Sequence, residues 1–203
     1  MVSLPQPPIL AITDRRRCAV AMTDLALRLF DGGIKWLSLR EKDLAASERL
    51  AILERLVVRA APYGAVIMVH DDIEAAALLQ LGLHLPGAGD PGIARQRLGP
   101  RALIGLSTHA NDGAGTGMAA DYRTVSPVFL SPGKPGYGPA LGLNGLRARC
   151  QSTTTPVVAL GGIDASRAAA CRAAGAAGIA VISDLVTAPD ITAAARRLVA
   201  AFQ

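Results

Sequence analysis

Short aliphatic runs recur every 20 to 30 residues along the chain, at 9–12, 34–39, 65–69, 83–85, 102–106, 122–125, 157–160 and 179–182. Each is strand-sized, and most are rich in the β-branched residues that suit a pleated, buried surface. Between them lie Ala/Leu/Arg stretches with helical spacing, at 23–30, 47–61, 72–81, 164–174 and 191–202. Strand alternating with helix predicts right-handed crossovers and a parallel sheet. Eight such units in 203 residues match the count of a closed (β/α)8 TIM barrel.

An open, doubly wound sheet is the competing α/β arrangement. Against it, the first strand leads into Thr13-Asp14 and an arginine run, with no G-x-G-x-x-G turn opening a helix. The glycine-rich pieces 87–92 and 113–117 read as ordinary loops. Gly32-Gly33, Gly82, Gly175 and Gly178 fall just before strands, where helix C-caps belong. Polar and charged residues gather instead just after the strands, the end at which barrel active sites form.

Composition narrows the class. Hydrophobic residues make up 51% of the chain and aromatics only 3%, so the core is aliphatic, as buried parallel strands and their covering helices require. The length predicts one domain over residues 1–203. Cys18, Cys150 and Cys171 are widely spaced and odd in number, which gives no disulfide framework and no zinc site. No charged segment followed by a long apolar stretch opens the chain, and no run of 18 apolar residues occurs, so a cytoplasmic protein without a membrane partner is expected. A net charge of +5 favours anionic partners. The charge is scattered, and the one tight basic run, Arg15-Arg16-Arg17, lacks aromatic neighbours; it reads as a solvated loop or helix start, not a nucleic-acid surface.

Several post-strand clusters carry chemistry. Arg40-Glu41-Lys42 follows the second strand and can place two cations at the barrel mouth, where they clamp an anion. His70-Asp71-Asp72 follows the third; Asp72 reads as a helix N-cap, which leaves Asp71 as the candidate Mg²⁺ ligand. His84 sits within a strand, either as a core histidine bonded to backbone or as a site residue. The segment 126–139 is the longest irregular stretch and predicts a lid, with Lys134 able to swing over a bound phosphate and Ser131 supplying a hydroxyl. Gly161-Gly162 and Ser183 follow the seventh and eighth strands, whose loops build phosphate sites in many barrels.

With those residues in place, the chain resembles the thiamine phosphate synthase family and its TenI-like thiazole tautomerase relatives. The likeness is carried by an ordered set of pieces: Ile12-Thr13-Asp14, Leu39-Arg40-Glu41-Lys42, Gly82-Leu83-His84-Leu85, Ile104 to His109, Ala120-Asp121-Tyr122, Pro127-Val128-Phe129, Pro156 to Ile163 and Gly178 to Ser183. The resemblance implies a transferase joining 4-amino-5-hydroxymethyl-2-methylpyrimidine diphosphate to 4-methyl-5-hydroxyethylthiazole phosphate, with release of pyrophosphate and use of Mg²⁺. It further implies that Arg40, Lys42, Ser131 and Lys134 hold pyrophosphate, that Arg40, His84 and Ser107 line the pyrimidine pocket, that Asp71 binds the metal, and that Gly162, Ile182 and Ser183 cradle the thiazole phosphate. Departures fall in this set. Ser38 stands where the synthases usually carry Gln, His70 where they carry Asn, Gly89 where a second metal carboxylate belongs with Asp90 one residue on, and Gly133 replaces a hydroxyl residue of the pyrophosphate loop. The TenI-like branch has its catalytic His where this chain has Pro127. The resemblance therefore also admits a thiazole tautomerase or a non-catalytic thiazole phosphate binder, and it leaves homo-oligomerisation open.

Overall fold

In the computed structural model, which describes residues 2–109, 119–130 and 139–203, eight parallel strands close into a barrel in chain order. They are β1 (Ile9–Ile12), β2 (Trp36–Leu39), β3 (Val66–His70), β4 (Gly82–Leu85), β5 (Ile104–His109), β6 (Tyr122–Ser126), β7 (Val157–Leu160) and β8 (Gly178–Val181). Closure is made by β8 against β1, with Leu10 opposite Ala180. Each run of the sequence pattern lies on one of these strands. Most strand residues are buried on both faces, which is why they read as continuous apolar runs and not as alternation.

The described helices are α1 (Met22–Asp31), α2 (Ala46–Ala60), α3 (Ile73–Leu79), α4 (Pro91–Leu98), α5 (Gly142–Gln151), α6 (Ala165–Ala173), the single turn α7 (Ser183–Val186) and α8 (Ile191–Phe202). The five expected helical segments are α1, α2, α3, α6 and α8. Helix α4 corrects the reading of 87–92 as a loop: Asp90 caps it by accepting from Gly92 N at 2.7 Å, and Pro91 takes the first helical position, where a missing N–H costs nothing. Helix α5 buries only Leu146 and carries two glycines, so periodicity does not announce it. Two glycine expectations also shift. Gly82 and Gly178 are the first residues of β4 and β8, and α3 ends on Gln80 in the left-handed region. Both glycines are needed for contact: a Cβ at Gly178 would fall 2.6 Å from Pro8 O, and one at Gly82 would fall 2.8 Å from Met68 Cγ. The second glycine-rich piece, 113–117, lies outside the described residues.

Apolar packing falls into two layers. One joins the outer faces of the strands to the helices, with Leu25, Leu29, Leu53, Leu56, Ala195 and Leu198 fully buried against the sheet. The other fills the barrel itself with Leu10, Ile12, Trp36, Met68, Leu103, Tyr122, Val158 and Ala180. Each fully buried Leu or Ile contributes roughly 1.5–3 kcal/mol, so the closed sheet is held mainly by these side chains. At the N-terminal end Asp121 is 1% exposed and accepts from Val2 N, Ile104 N and Arg95 Nη2 at 2.8, 2.9 and 2.6 Å. Its charge is fully committed to closing the floor. No helix among the described residues is long and apolar enough to cross a membrane.

Candidate functional site

A cavity of about 630 Å³ opens at the C-terminal ends of the strands, where Arg40, Gly161, Gly162, Ile182 and Ser183 share one wall system. Five of the residues singled out in the sequence therefore face a common space. Gly161 and Gly162 have φ of 103° and 61°, values that favour glycine. Space demands it too: a Cβ on Gly161 would lie 2.8 Å from Pro127 Cα, and one on Gly162 would lie 2.6 Å from Leu130 O. The chain after β6 thus crosses directly over the β7 turn, with Phe129 N donating to Gly161 O at 3.0 Å.

Ser38, His70, His84 and Ser107 form a different kind of structure, a ladder of polar side chains inside the upper barrel. Ser38 Oγ meets His70 Nδ1 at 2.9 Å, and the His70 ring lies 4.5 Å from that of His84. His84 Nδ1 meets the Tyr122 hydroxyl at 2.8 Å and His84 Nε2 meets Ser107 Oγ at 2.9 Å. His84 is thus satisfied by side chains, not by backbone. Burial first, then the charges of Arg40 and Lys42, hold its pKa down to about 3. His70 is also held well below the usual imidazole value, by burial, by His84 and by the same two cations. Both rings are neutral at physiological pH, so each has one N–H and one lone pair to place.

Hydrogen-bond supply assigns the His84 tautomer. Burial keeps the Tyr122 hydroxyl protonated, so it has one hydrogen to donate. Met68 Sδ is 3.4 Å away and already accepts from Trp36 Nε1 at 2.9 Å, whereas the imidazole nitrogen is the stronger acceptor at 2.8 Å. Tyr122 therefore donates to Nδ1, Nε2–H donates to Ser107 Oγ, and the Ser107 hydrogen is left for a bound molecule. The Tyr122 ring fits only because residue 105 is glycine: a Cβ there would fall 2.1 Å from Tyr122 Cζ.

The Arg40-Glu41-Lys42 run divides by role. Arg40 is half-buried and lines the cavity, and its backbone N–H donates to Thr13 Oγ1 at 2.9 Å. Glu41 is 3% exposed and accepts from Arg15 N at 3.0 and 3.2 Å, which staples the loop after β1 to the loop after β2. Burial lifts its carboxyl above the usual range. Lys42 is exposed and lies outside the cavity wall, though its charge reaches the two histidines.

Asp71 is exposed at φ 56°, a left-handed conformation that Asp tolerates, and among the described residues its carboxylate has no hydrogen-bond or ion-pair partner. Its neighbour Asp72 caps α3 through Ala75 N at 3.0 Å and pairs with Arg49 at 2.8 Å, as its N-cap pattern implied. Asp90 is occupied as the cap of α4. Among the described residues no group of three or more His, Cys, Asp or Glu side chains is arranged around a metal position. A lone free carboxylate still suits Mg²⁺ when substrate phosphate and water supply the remaining oxygens. Ser131 and Lys134 lie outside the described residues.

Two cations of the cavity were missed in the sequence. Arg17, whose run reads as a solvated loop or helix start, instead lines the cavity and donates from Nη1 to Ser183 Oγ at 2.8 Å, and Arg167 donates from Nη1 to Gly162 O. A triple-arginine run does not say which member turns inward, and nothing in the α6 sequence marks Arg167.

A family model described as thiamine monophosphate synthase matches residues 9–185. The chain belongs to the thiamine monophosphate synthase family. A putative thiamine-phosphate synthase of Geobacter sulfurreducens is 36% identical over 197 residues, covering 93% of this chain and 91% of that protein. A thiamine-phosphate synthase of Myxococcus xanthus is 35% identical and covers 98% and 94% of the two chains. Among solved structures, a thiamine phosphate pyrophosphorylase from Pyrococcus furiosus superposes with a TM-score of 0.82 at 28% identity, covering 96% of this chain and 94% of that one. A 3-hexulose-6-phosphate synthase, at 19% identity and a TM-score of 0.67, shares the barrel fold alone. Family membership gives the shared cavity its context: the β7 and β8 turns and Arg40, all within pieces that carried the resemblance, are the ones brought together here.

Proposed function

We propose that this chain makes thiamine phosphate, joining the aminopyrimidine diphosphate to the hydroxyethylthiazole phosphate. The observation that carries the reading is the shared cavity lined by Arg40 together with Gly161, Gly162, Ile182 and Ser183, which puts a cation and bare turns around one space for anionic groups. In the reaction the bond between the pyrimidine methylene and the diphosphate oxygen breaks, its electron pair leaves on pyrophosphate, and the thiazole nitrogen lone pair forms the new C–N bond. No general base is needed, because the pyrimidine amino group feeds electrons toward the methylene. Stabilising the departing charge is the main task.

In this reading Arg40, Lys42 and Lys134 hold the diphosphate, with Ser131 donating from the segment after β6. His70 and Ser107, backed by the buried Ser38 and His84, present a neutral, hydrogen-bonding wall to the pyrimidine, which suits a ring whose amino group must stay unprotonated. Gly161, Gly162, Ile182 and Ser183 take the thiazole phosphate. Asp71 would hold Mg²⁺ together with diphosphate oxygens, and the ion supplies further charge neutralisation on the leaving group. Pro127 lines the cavity where the TenI-like branch places its base, so that position supplies no proton acceptor for a tautomerisation. The reading also makes the protein a cytoplasmic, single-domain enzyme whose partners are small phosphorylated metabolites and not nucleic acid. Thiamine phosphate formation from the two substrates with Mg²⁺ is the test: wild-type turnover should exceed that of Lys134→Ala by about 100-fold or more, and equal rates overturn the assignment.

A further inference from the structure

We propose that Arg17 and Arg167 act as a guanidinium pair that grips the phosphate ester of the substrate seated on the β7 and β8 turns, adding charge recognition to turns that otherwise offer only backbone and one hydroxyl. The inference rests on the thiamine phosphate synthase reading for the identity of that ester.

The arginine run after β1 splits in two. Arg15 and Arg16 both pair with Asp43, the latter at 3.0 Å, while Arg17 leaves them and reaches across to Ser183 on the far side of the barrel seam. The Glu41 staple on Arg15 N fixes where that loop leaves the strand, so Arg17 is directed by a buried anchor two residues upstream. Arg167 approaches from α6. Its guanidinium packs over the Phe129 ring, 4.9 Å from the centroid, and bonds Gly162 O. Both side chains line the same cavity.

Neither is held in a salt bridge. Among the described residues no carboxylate lies within ion-pair distance of Arg17 or Arg167, although Asp14, Asp164 and Asp184 line the same cavity and the charges of Asp164 and Arg167 attract each other. Asp164 is engaged by Ser166 Oγ at 2.6 Å and by Arg167 N at 3.1 Å as the cap of α6. Asp184 is pushed toward its neutral form by burial and by Asp164. Each guanidinium spends one of its five N–H groups on a neutral oxygen, which orients it and leaves four donors. Two oriented cations beside bare turns match a phosphate monoester with three terminal oxygens, and the free alcohol would leave them unpaired.

Calorimetric titration of thiazole phosphate and, separately, inorganic phosphate into the full chain tests the pair, using wild type, Arg17→Gln, Arg167→Gln and the double variant, with thermal melts to confirm folding. Each single substitution should weaken thiazole phosphate binding by about tenfold or more, the double variant should lose most of its salt dependence, and Arg→Lys variants should recover part of the affinity. Pyrimidine diphosphate affinity should move by less than about twofold. Unchanged thiazole phosphate affinity in a folded double variant overturns the pair, as does an equal loss for both substrates or a wild type that binds neither phosphate. If wild type binds phosphate through these arginines yet makes no thiamine phosphate, the pair stands and the enzymatic reading falls.

Discussion

On the β7–β8 side of the rim the pocket is walled by glycine backbone and by guanidiniums whose partners are neutral oxygens. On the β2–β6 side the inward groups are imidazoles and hydroxyls that bond one another, from Ser38 to His70 and from Tyr122 through His84 to Ser107. The first region holds positive charge ready for a ligand to neutralise; the second holds neutral dipoles already fixed in direction. A phosphate pays for desolvation best where it meets unpaired cations, and a neutral heterocycle is oriented best by donors that need no rearrangement. One rim thus solves two recognition problems by opposite means.

Acid should separate the two regions most strongly. The folded pKa of His84, about 3, lies below the ordinary 6.5, and His70 is displaced in the same direction. As pH falls below 6.5 the unfolded chain takes up protons that the folded ladder refuses. Stability from a neutral His84 is therefore complete above that value and drains away as pH falls toward 3, by up to about 1.4 kcal/mol per pH unit, and His70 adds to the loss in the same direction. Glu41 and Asp184, with raised carboxyl values, run the other way: their contribution is present at low pH and lost as pH rises through their folded values, which opposes the histidine effect. Urea unfolding should show a loss on the order of 3 kcal/mol between about pH 6.5 and 4.5. A flat profile would contradict the neutral ladder.

Glycine substitutions sharpen the contrast. Gly105→Ala drives a methyl into the Tyr122 ring in the packed interior, so it should cost about 3 kcal/mol and lower the melting temperature by roughly 6–12 °C. Gly162→Ala meets Leu130 O and Phe129 at the rim of the cavity, outside the packed barrel interior. It should cost less stability, about 1–2 kcal/mol, but raise the KM for thiazole phosphate. Equal effects of the two on melting and on KM would erase the distinction between a structural and a ligand-facing glycine.

The smallest expected change is Tyr122→Phe. Without the hydroxyl, His84 Nδ1 loses its donor and the tautomer is no longer fixed, so the KM for the pyrimidine substrate should rise about fivefold while that for thiazole phosphate holds. A matching rise for both substrates would mean that Tyr122 serves packing alone.

Much of the barrel is legible in the chain because strands buried on both faces are apolar throughout. Helices α4 and α5 are not, since one begins Pro-Gly and the other buries a single leucine; the caps and tertiary contacts that hold them leave little period. In the site, Arg40, Gly161, Gly162 and Ser183 can be found from their place just after strands. Tyr122 cannot be paired with His84 from sequence, because 38 residues separate them and the bond depends on Gly105 making room. Arg17 and Arg167 escape for a similar reason. Their direction is set by contacts with Ser183 and Gly162, which only the closed ring brings near.

A crystal structure of the protein with thiazole phosphate bound tests the shared anion pocket most directly. The phosphate should sit against the Gly162 backbone and Ser183 Oγ, within hydrogen-bond distance of Arg17 and Arg167, with the thiazole ring pointing toward Arg40 and Ser107. A phosphate found at any other place on the rim, with those four residues untouched, would contradict the account.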